Sequence, residues 1–222
     1  MTVPQRDDAG VQGRPEPVDG RMIVQIVRDL AVPTYLVNRT SVMPFDRSRQ
    51  ENDAEHSFSL GLAAICIAPL VDPALDTALV AKYALIHDLP EIYAGDVSVY
   101  AREEERADKA RRESEARERL AKNFGDLFPG LISALDAYTS LGDRESRFVY
   151  ALDKLLPHAM VLLGDYHPVR PTWSEYKRTE LRARTKIQSA FPELLDVFDD
   201  LCAEFAGRPH LFSDDAADDG AS

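Results

Sequence analysis

The chain has 222 residues, 45% of them hydrophobic and 29% charged, which is enough for one globular domain with a sizeable core. A formal net charge of −12 repels a long polyanion and disfavours nucleic-acid polymers as partners. It leaves a small phosphate ester open, because a metal ion and one or two Arg can reverse the field locally.

Residues 1–20 are polar, carry Pro and Gly, and read as disordered, with no apolar stretch to serve as a signal peptide. A first helix is predicted over 22–31, ending before Pro33. Residues 34–50 show no alternation of apolar and polar positions and are expected to be irregular; they hold Arg39, Arg47 and Arg49. A second helix starts at Asn52 or Asp53, both good N-caps, and runs to Leu70. Its apolar run, 60–71, is too short to span a bilayer and contains Pro69, so it reads as a core helix. Asp72 as N-cap and Pro73 at the first helical position predict a third helix through Asp88, stopped by Pro90. Residues 91–100, with Gly95, are expected as a loop. A charged helix over 101–124 follows, ended by Gly125 and polar nearly all round, so that it covers the core with one face. Further helices are predicted over 130–138, from the cap Asp143 to 164 with a kink at Pro157, over 172–190, and over 192–206. Cys66 and Cys202 both sit in apolar helical patterns, so a reduced, buried role is expected rather than a disulfide. Residues 208–222 read as an acidic flexible tail. The expected architecture is an all-α, single-domain helical bundle over 21–207, in a soluble cytoplasmic protein that does not enter membranes.

Four side chains on three of these helices stand out. His56 is in helical register with Leu60, Ala63 and Ile67, His87 with Tyr83, Val80 and Leu79, and Asp153 with Val149, Leu156 and Met160. Each therefore points to an apolar, inward face. Taken singly, each has a plainer explanation: a hydrogen-bonded core histidine, a helix-end cap, or an Asp paired with Lys154 or Arg147. Together with Asp88 they make two imidazoles and two carboxylates aimed at one core, a donor set suited to a divalent metal that keeps water. Adjacent helical residues diverge by about 100°. His87 and Asp88 can thus share an ion only at a helix end, which the Leu89-Pro90 stop supplies.

The order His56, His87-Asp88, Asp153 resembles the H…HD…D signature of the HD-domain metal-dependent phosphohydrolases. Longer words sharpen the likeness to their 5′-deoxynucleotidase-like branch. Residues 50–57 (QENDAEHS) resemble its EN-x-x-EHS, residues 87–96 (HDLPEIYAGD) its HD-x-x-E-x-x-x-GD, and residues 147–154 (RFVYALDK) its FV-x-x-LDK. The resemblance covers about residues 22–206. It implies an all-helical fold, commonly a homodimer. It also implies one divalent metal held by His56, His87, Asp88 and Asp153, and hydrolysis of a nucleoside 5′-monophosphate, often the deoxy form. Within that branch two carboxylates after the HD pair act beside the metal, and here they match Glu91 and Asp96. An Arg upstream of the first His matches Arg39, the candidate phosphate clamp, with Thr40 where the branch often has an aromatic residue. Arg47 and Arg49 are alternatives for the clamp, and Lys109 and Glu115 are explained equally well by a solvated helix face. His158 and His167 fall in no ligand word and are expected to be structural.

Mixed nitrogen and oxygen ligation admits Mn, Co, Fe, Zn or Mg. Two rival functions remain. A nucleoside triphosphate triphosphohydrolase would need cations for three phosphates, and no Lys/Arg run offers them. A non-catalytic nucleotide- or metal-binding protein of the same scaffold would be expected to lose at least one of the six acidic and histidine positions, all of which are intact.

Overall fold

A computed structural model describes residues 18–214; the segment 1–20, expected to be disordered, lies outside the described residues except for its last three. Asp19 accepts the Met22 N–H at 2.8 Å and caps α1 (Gly20–Ile26). The chain then widens into a π turn (Val27–Ala31) and closes with α2 (Val32–Thr34), passing through Pro33 instead of stopping before it. A proline ring crowds the carbonyl one turn back, and the wider turn gives it room.

A two-stranded antiparallel hairpin, β1 (Asn38–Met43) and β2 (Asp46–Asn52), takes the place of the irregular segment. Residues 46–50 are all exposed, so the strand has no apolar face and left no alternation to read in the sequence. The hairpin is held by its main-chain ladder and by Ser41 Oγ donating to Glu51 at 2.8 Å. Its last residue, Asn52, caps α3 (Asp53–Val71) in a full capping box with Glu55.

The helix α4 (Thr77–Ile86) starts later than expected. Asp76, not Asp72, accepts the free N–H groups of its first turn, those of Ala78 and Leu79. Asp72 and Pro73 form a turn in which Asp72 Oδ1 takes the Ala74 N–H. After Pro90 the expected loop opens with a single helical turn, α5 (Glu91–Ala94), and ends at Gly95, whose φ of 71° favours glycine. The charged helix is α6 (Glu103–Phe124), and it buries Ala116, Leu120 and Phe124 on one face, as its pattern predicts. Then come α7 (Pro129–Thr139), α8 (Arg144–Gly164), α9 (Trp173–Ala190) and α10 (Leu195–Phe205). α8 runs through Pro157 without a break.

α3 packs along α4, and both lie against α8. Leu60, Val80, Tyr83, Phe148 and Leu152 meet there, closed over by Ile187, Phe191 and Phe198. The fold is therefore mostly α, as expected, with the hairpin added. α3 is the one described helix long and apolar enough to cross a membrane, but it lays Leu60, Ala64 and Ala68 into this core. Cys202 is buried as expected, whereas Cys66 is exposed: α3 is apolar on more than its buried side, so hydrophobic pattern does not identify its outer face. The segment expected as a tail from Arg208 is packed at its start. Leu211 and Phe212 are buried beside Tyr176 and Phe205, while residues 215–222 lie outside the described residues.

His158 sits among aromatic rings, 5.1 Å from Phe198, 5.8 Å from Phe205 and 6.1 Å from Tyr176 between centroids. Burial pulls its pKa down to about 4 against the opposing effect of the Lys154 carbonyl. Between pH 6.5 and about 4 the unfolded chain binds a proton that the folded chain refuses, so stability falls as pH falls through that window. The gap corresponds to about 3 kcal/mol. Thermal melts should therefore show a steeper loss of Tm between pH 7 and 4.5 in wild type than in His158→Leu; parallel pH curves would refute the assignment.

Candidate metal centre

His56 lies in the first turn of α3, fixed by the Asn52 cap, with only 1% of its surface exposed. α4 ends at Ile86 with His87 as its C-cap, still at helical dihedrals (φ −58°, ψ −37°), and Asp88 falls on the tight turn before Pro90. Asp153 projects from the middle of α8. The three segments converge. Asp153 Oδ1 is 2.9 Å from His56 Nε2 and 3.7 Å from His87 Nε2, and Asp88 Oδ2 is 3.0 Å from His87 Nε2. His56, His87 and Asp88 each offer a donor atom within 4.8 Å of the other two.

The donors fit a cation. His87 Nδ1 donates to the Ala84 carbonyl at 2.9 Å, which leaves Nε2 as the nitrogen able to turn a lone pair to a cation. That nitrogen is buried, makes no hydrogen bond, and faces the carboxylates of Asp88 and Asp153. Burial lowers the His87 pKa, yet the two carboxylates outweigh it and push it up to about 10: the field at Nε2 favours positive charge. Fixing one ring nitrogen on a backbone carbonyl is how metal-binding imidazoles are oriented. Asp153 Oδ2 pairs with Lys154 at 2.6 Å, the plainer of its expected readings, while Oδ1 faces the imidazoles.

Arg39 on β1 reaches Asp88 Oδ2 at 2.6 Å and comes within 3.6 Å of Asp53 and 3.8 Å of Glu51. Burial opposes its charge, but Asp88, Asp153, Asp96 and Glu91 raise its pKa further. Arg47 and Arg49 do not reach the site: Arg47 donates to the Gly164 carbonyl at 2.9 Å and Arg49 pairs with Glu55 and Asp46. Glu91 is 4% exposed, with Oε1 on Lys109 at 2.8 Å and Oε2 buried and unpartnered. Burial and the nearby Asp88 push its pKa up to about 8, against Lys109. Asp96 accepts the Thr40 N–H at 3.2 Å and lies 3.6 Å from Lys109.

Lys109 is thus no part of a solvated face; it ties Glu91, Asp96 and Glu113 together, while Glu115 remains on the surface with Arg111. Sequence reasoning also passed over Glu51 and Asp53, which flank the capping Asn52 and are buried with unpartnered oxygens. Burial pushes Asp53 up to about 7, helped by Asp88. Asp53, Asp88 and Glu91 form a second group of donors within 4.8 Å of one another. The signal was available: two carboxylates beside a cap, immediately before a buried His.

A cavity of about 530 Å³ opens over these groups, a size suited to a small ligand. Six cations line it, Arg39, Arg106, Lys109, Arg117, Lys154 and Lys186, gathered from β1, α6, α8 and α9. The lack of a Lys/Arg run in the sequence therefore says nothing about the charge around the site.

A mostly helical bundle whose core gathers His, His-Asp and Asp from three segments, under a cation-lined cavity, defines the class. The HD domain matches residues 36–195, and the chain belongs to that family. A predicted metal-dependent phosphohydrolase from Magnetospirillum magnetotacticum MS-1, known from its crystal structure, is similar over 86% of this chain and 92% of its own. The two share 28% sequence identity, with a TM-score of 0.66. No curated protein matches the chain.

Proposed function

We propose that the protein is a metal-dependent phosphohydrolase of the 5′-deoxynucleotidase-like branch, releasing phosphate from nucleoside 5′-monophosphates, including the deoxy forms. The observation that carries this reading is the convergence of His56, His87, Asp88 and Asp153 beside Arg39, with His87 Nε2 buried and without a hydrogen bond. The similarity to a predicted metal-dependent phosphohydrolase supports the reaction class.

In this reading the four groups hold one divalent ion, Mn, Co, Fe, Zn or Mg. Such an ion lowers the pKa of water and polarises a phosphoryl oxygen. Arg39 turns its guanidinium from Asp88 to the phosphoryl oxygens and orients the ester. Glu91 Oε2, buried and without another partner, takes the proton of the attacking water as its oxygen bonds to phosphorus. The phosphorus–oxygen bond to the sugar breaks, and the departing oxygen, positioned by Asp96, takes a proton from solvent. Lys109 holds the two carboxylates in place. The partner is a small nucleotide and not a nucleic-acid polymer or a membrane, in keeping with the charge of −12. The protein acts in the cytoplasm as a homodimer; the exposed Phe58, Leu62, Ile65 and Leu70 along α3 offer an apolar face for a second copy.

A second reading, release of tripolyphosphate from nucleoside triphosphates, is favoured by one observation. Arg106, Arg117 and Lys186 line the cavity and make no ion pair among the described residues. Identifying the product decides between the two. Protein stripped of metal and reloaded with single ions is expected to release orthophosphate from monophosphates only when an ion is present. Tripolyphosphate from triphosphates would establish the second reading instead, and full turnover in the presence of excess chelator would refute both.

A further inference from the structure

A second cavity of about 160 Å³ adjoins the metal centre and shares Arg39, Asp153 and Lys154 with the larger one. It is too small for a whole nucleotide and is walled by carbon-rich side chains, including Val99, Pro157, Val161 and Phe205. Among the described residues, two buried polar atoms in that wall have no hydrogen-bond partner, the Tyr176 hydroxyl and a ring nitrogen of His167. His167 is 6% exposed, and its Nε2 lies 3.0 Å from the Tyr100 hydroxyl, but its Nδ1 is buried with no partner. Burial pulls its pKa down to about 4, so near neutral pH the ring is uncharged, with one N–H and one lone pair. The Tyr100 hydroxyl engages Nε2, so Nδ1 is the ring nitrogen left open, as donor or acceptor according to the tautomer. A buried polar nitrogen without a partner is costly unless something arrives to pair with it.

We propose that this cavity receives the planar heterocycle of the leaving group, the nucleobase, and that His167 Nδ1 hydrogen-bonds a polar edge atom of it. The inference rests on the phosphohydrolase reading above and adds its specificity subsite. The phosphate lies under Arg39 at the shared mouth, the sugar passes Thr40 and Lys154, and the base enters between Tyr100 and Pro157. His167 is then a specificity-determining residue, and the aromatic partner absent at Thr40 is supplied by the cavity's own rings.

The test compares nucleoside 5′-monophosphates with ribose 5-phosphate, which lacks the base. In His167→Phe the ratio of kcat/KM for nucleotide over that for ribose 5-phosphate is expected to fall at least tenfold, chiefly through nucleotide KM. Ala183→Leu, which narrows the cavity from α9 and leaves His167 in place, is expected to lower the same ratio. A second readout needs no turnover. Free nucleosides should perturb the emission of the single Trp, Trp173, whose ring lies 5.3 Å from Tyr176 on the cavity wall, and His167→Phe should abolish that change. Ratios within twofold of wild type in both folded variants would overturn the subsite. Should the wild type hydrolyse neither substrate, the phosphohydrolase reading fails, and nucleoside binding alone decides: a response lost in His167→Phe supports the subsite, and no response in wild type overturns it.

Discussion

His87→Ala and Asp153→Asn are expected to lower phosphate release at least about a thousandfold, equivalent to roughly 4 kcal/mol of barrier. Far-UV circular dichroism and the cooperative thermal transition should persist in both. His87→Ala removes one donor and Asp153→Asn exchanges a charged oxygen for a weaker neutral one, in a cluster built by three separate segments, so the hold on an ion is lost or weakened. Ion binding measured on the same proteins should weaken in step with activity. A folded variant that keeps a tenth of wild-type turnover would show that the cluster is a structural ion-pair network and not the reaction centre.

Glu91→Gln is expected to lower kcat by about a hundred to ten thousandfold while leaving substrate affinity nearly intact, the range for losing a general base. The alternative is that Glu91 matters only as a partner of Lys109 at 2.8 Å. The two separate cleanly, because Lys109→Met removes the ion pair and leaves the carboxylate. If Lys109→Met costs as much as Glu91→Gln, or if Glu91→Gln loses substrate binding instead of turnover, Glu91 is not the base. Its unpartnered Oε2, in a residue that lines the same cavity as Arg39 and Asp96, is what makes the first outcome the expected one.

Much of this protein was legible from its residues. Capping signals are local hydrogen-bonding rules, so the starts of α3, α8 and α9 follow from Asn52, Asp143 and Thr172. Where two such signals compete, as Asp72 and Asp76 do, local rules do not choose. Asp76 won because its carboxylate reaches two free N–H groups, while Asp72 closes a turn. The hairpin escaped notice for a different reason. Periodicity reports burial on one face, and residues 46–50 are exposed throughout.

The identities and inward register of His56, His87 and Asp153 are properties of the chain alone, since helical geometry turns spacing into direction. Which atoms meet is a different matter. The pairing of Asp153 Oδ1 with both imidazoles, the engagement of Lys109 by Glu91 and Asp96, the buried Glu51 and Asp53, and the open Nδ1 of His167 all depend on elements remote in sequence. A single chain position carries a side chain's chemistry; its partners and its solvent are set by whatever the packed helices bring against it.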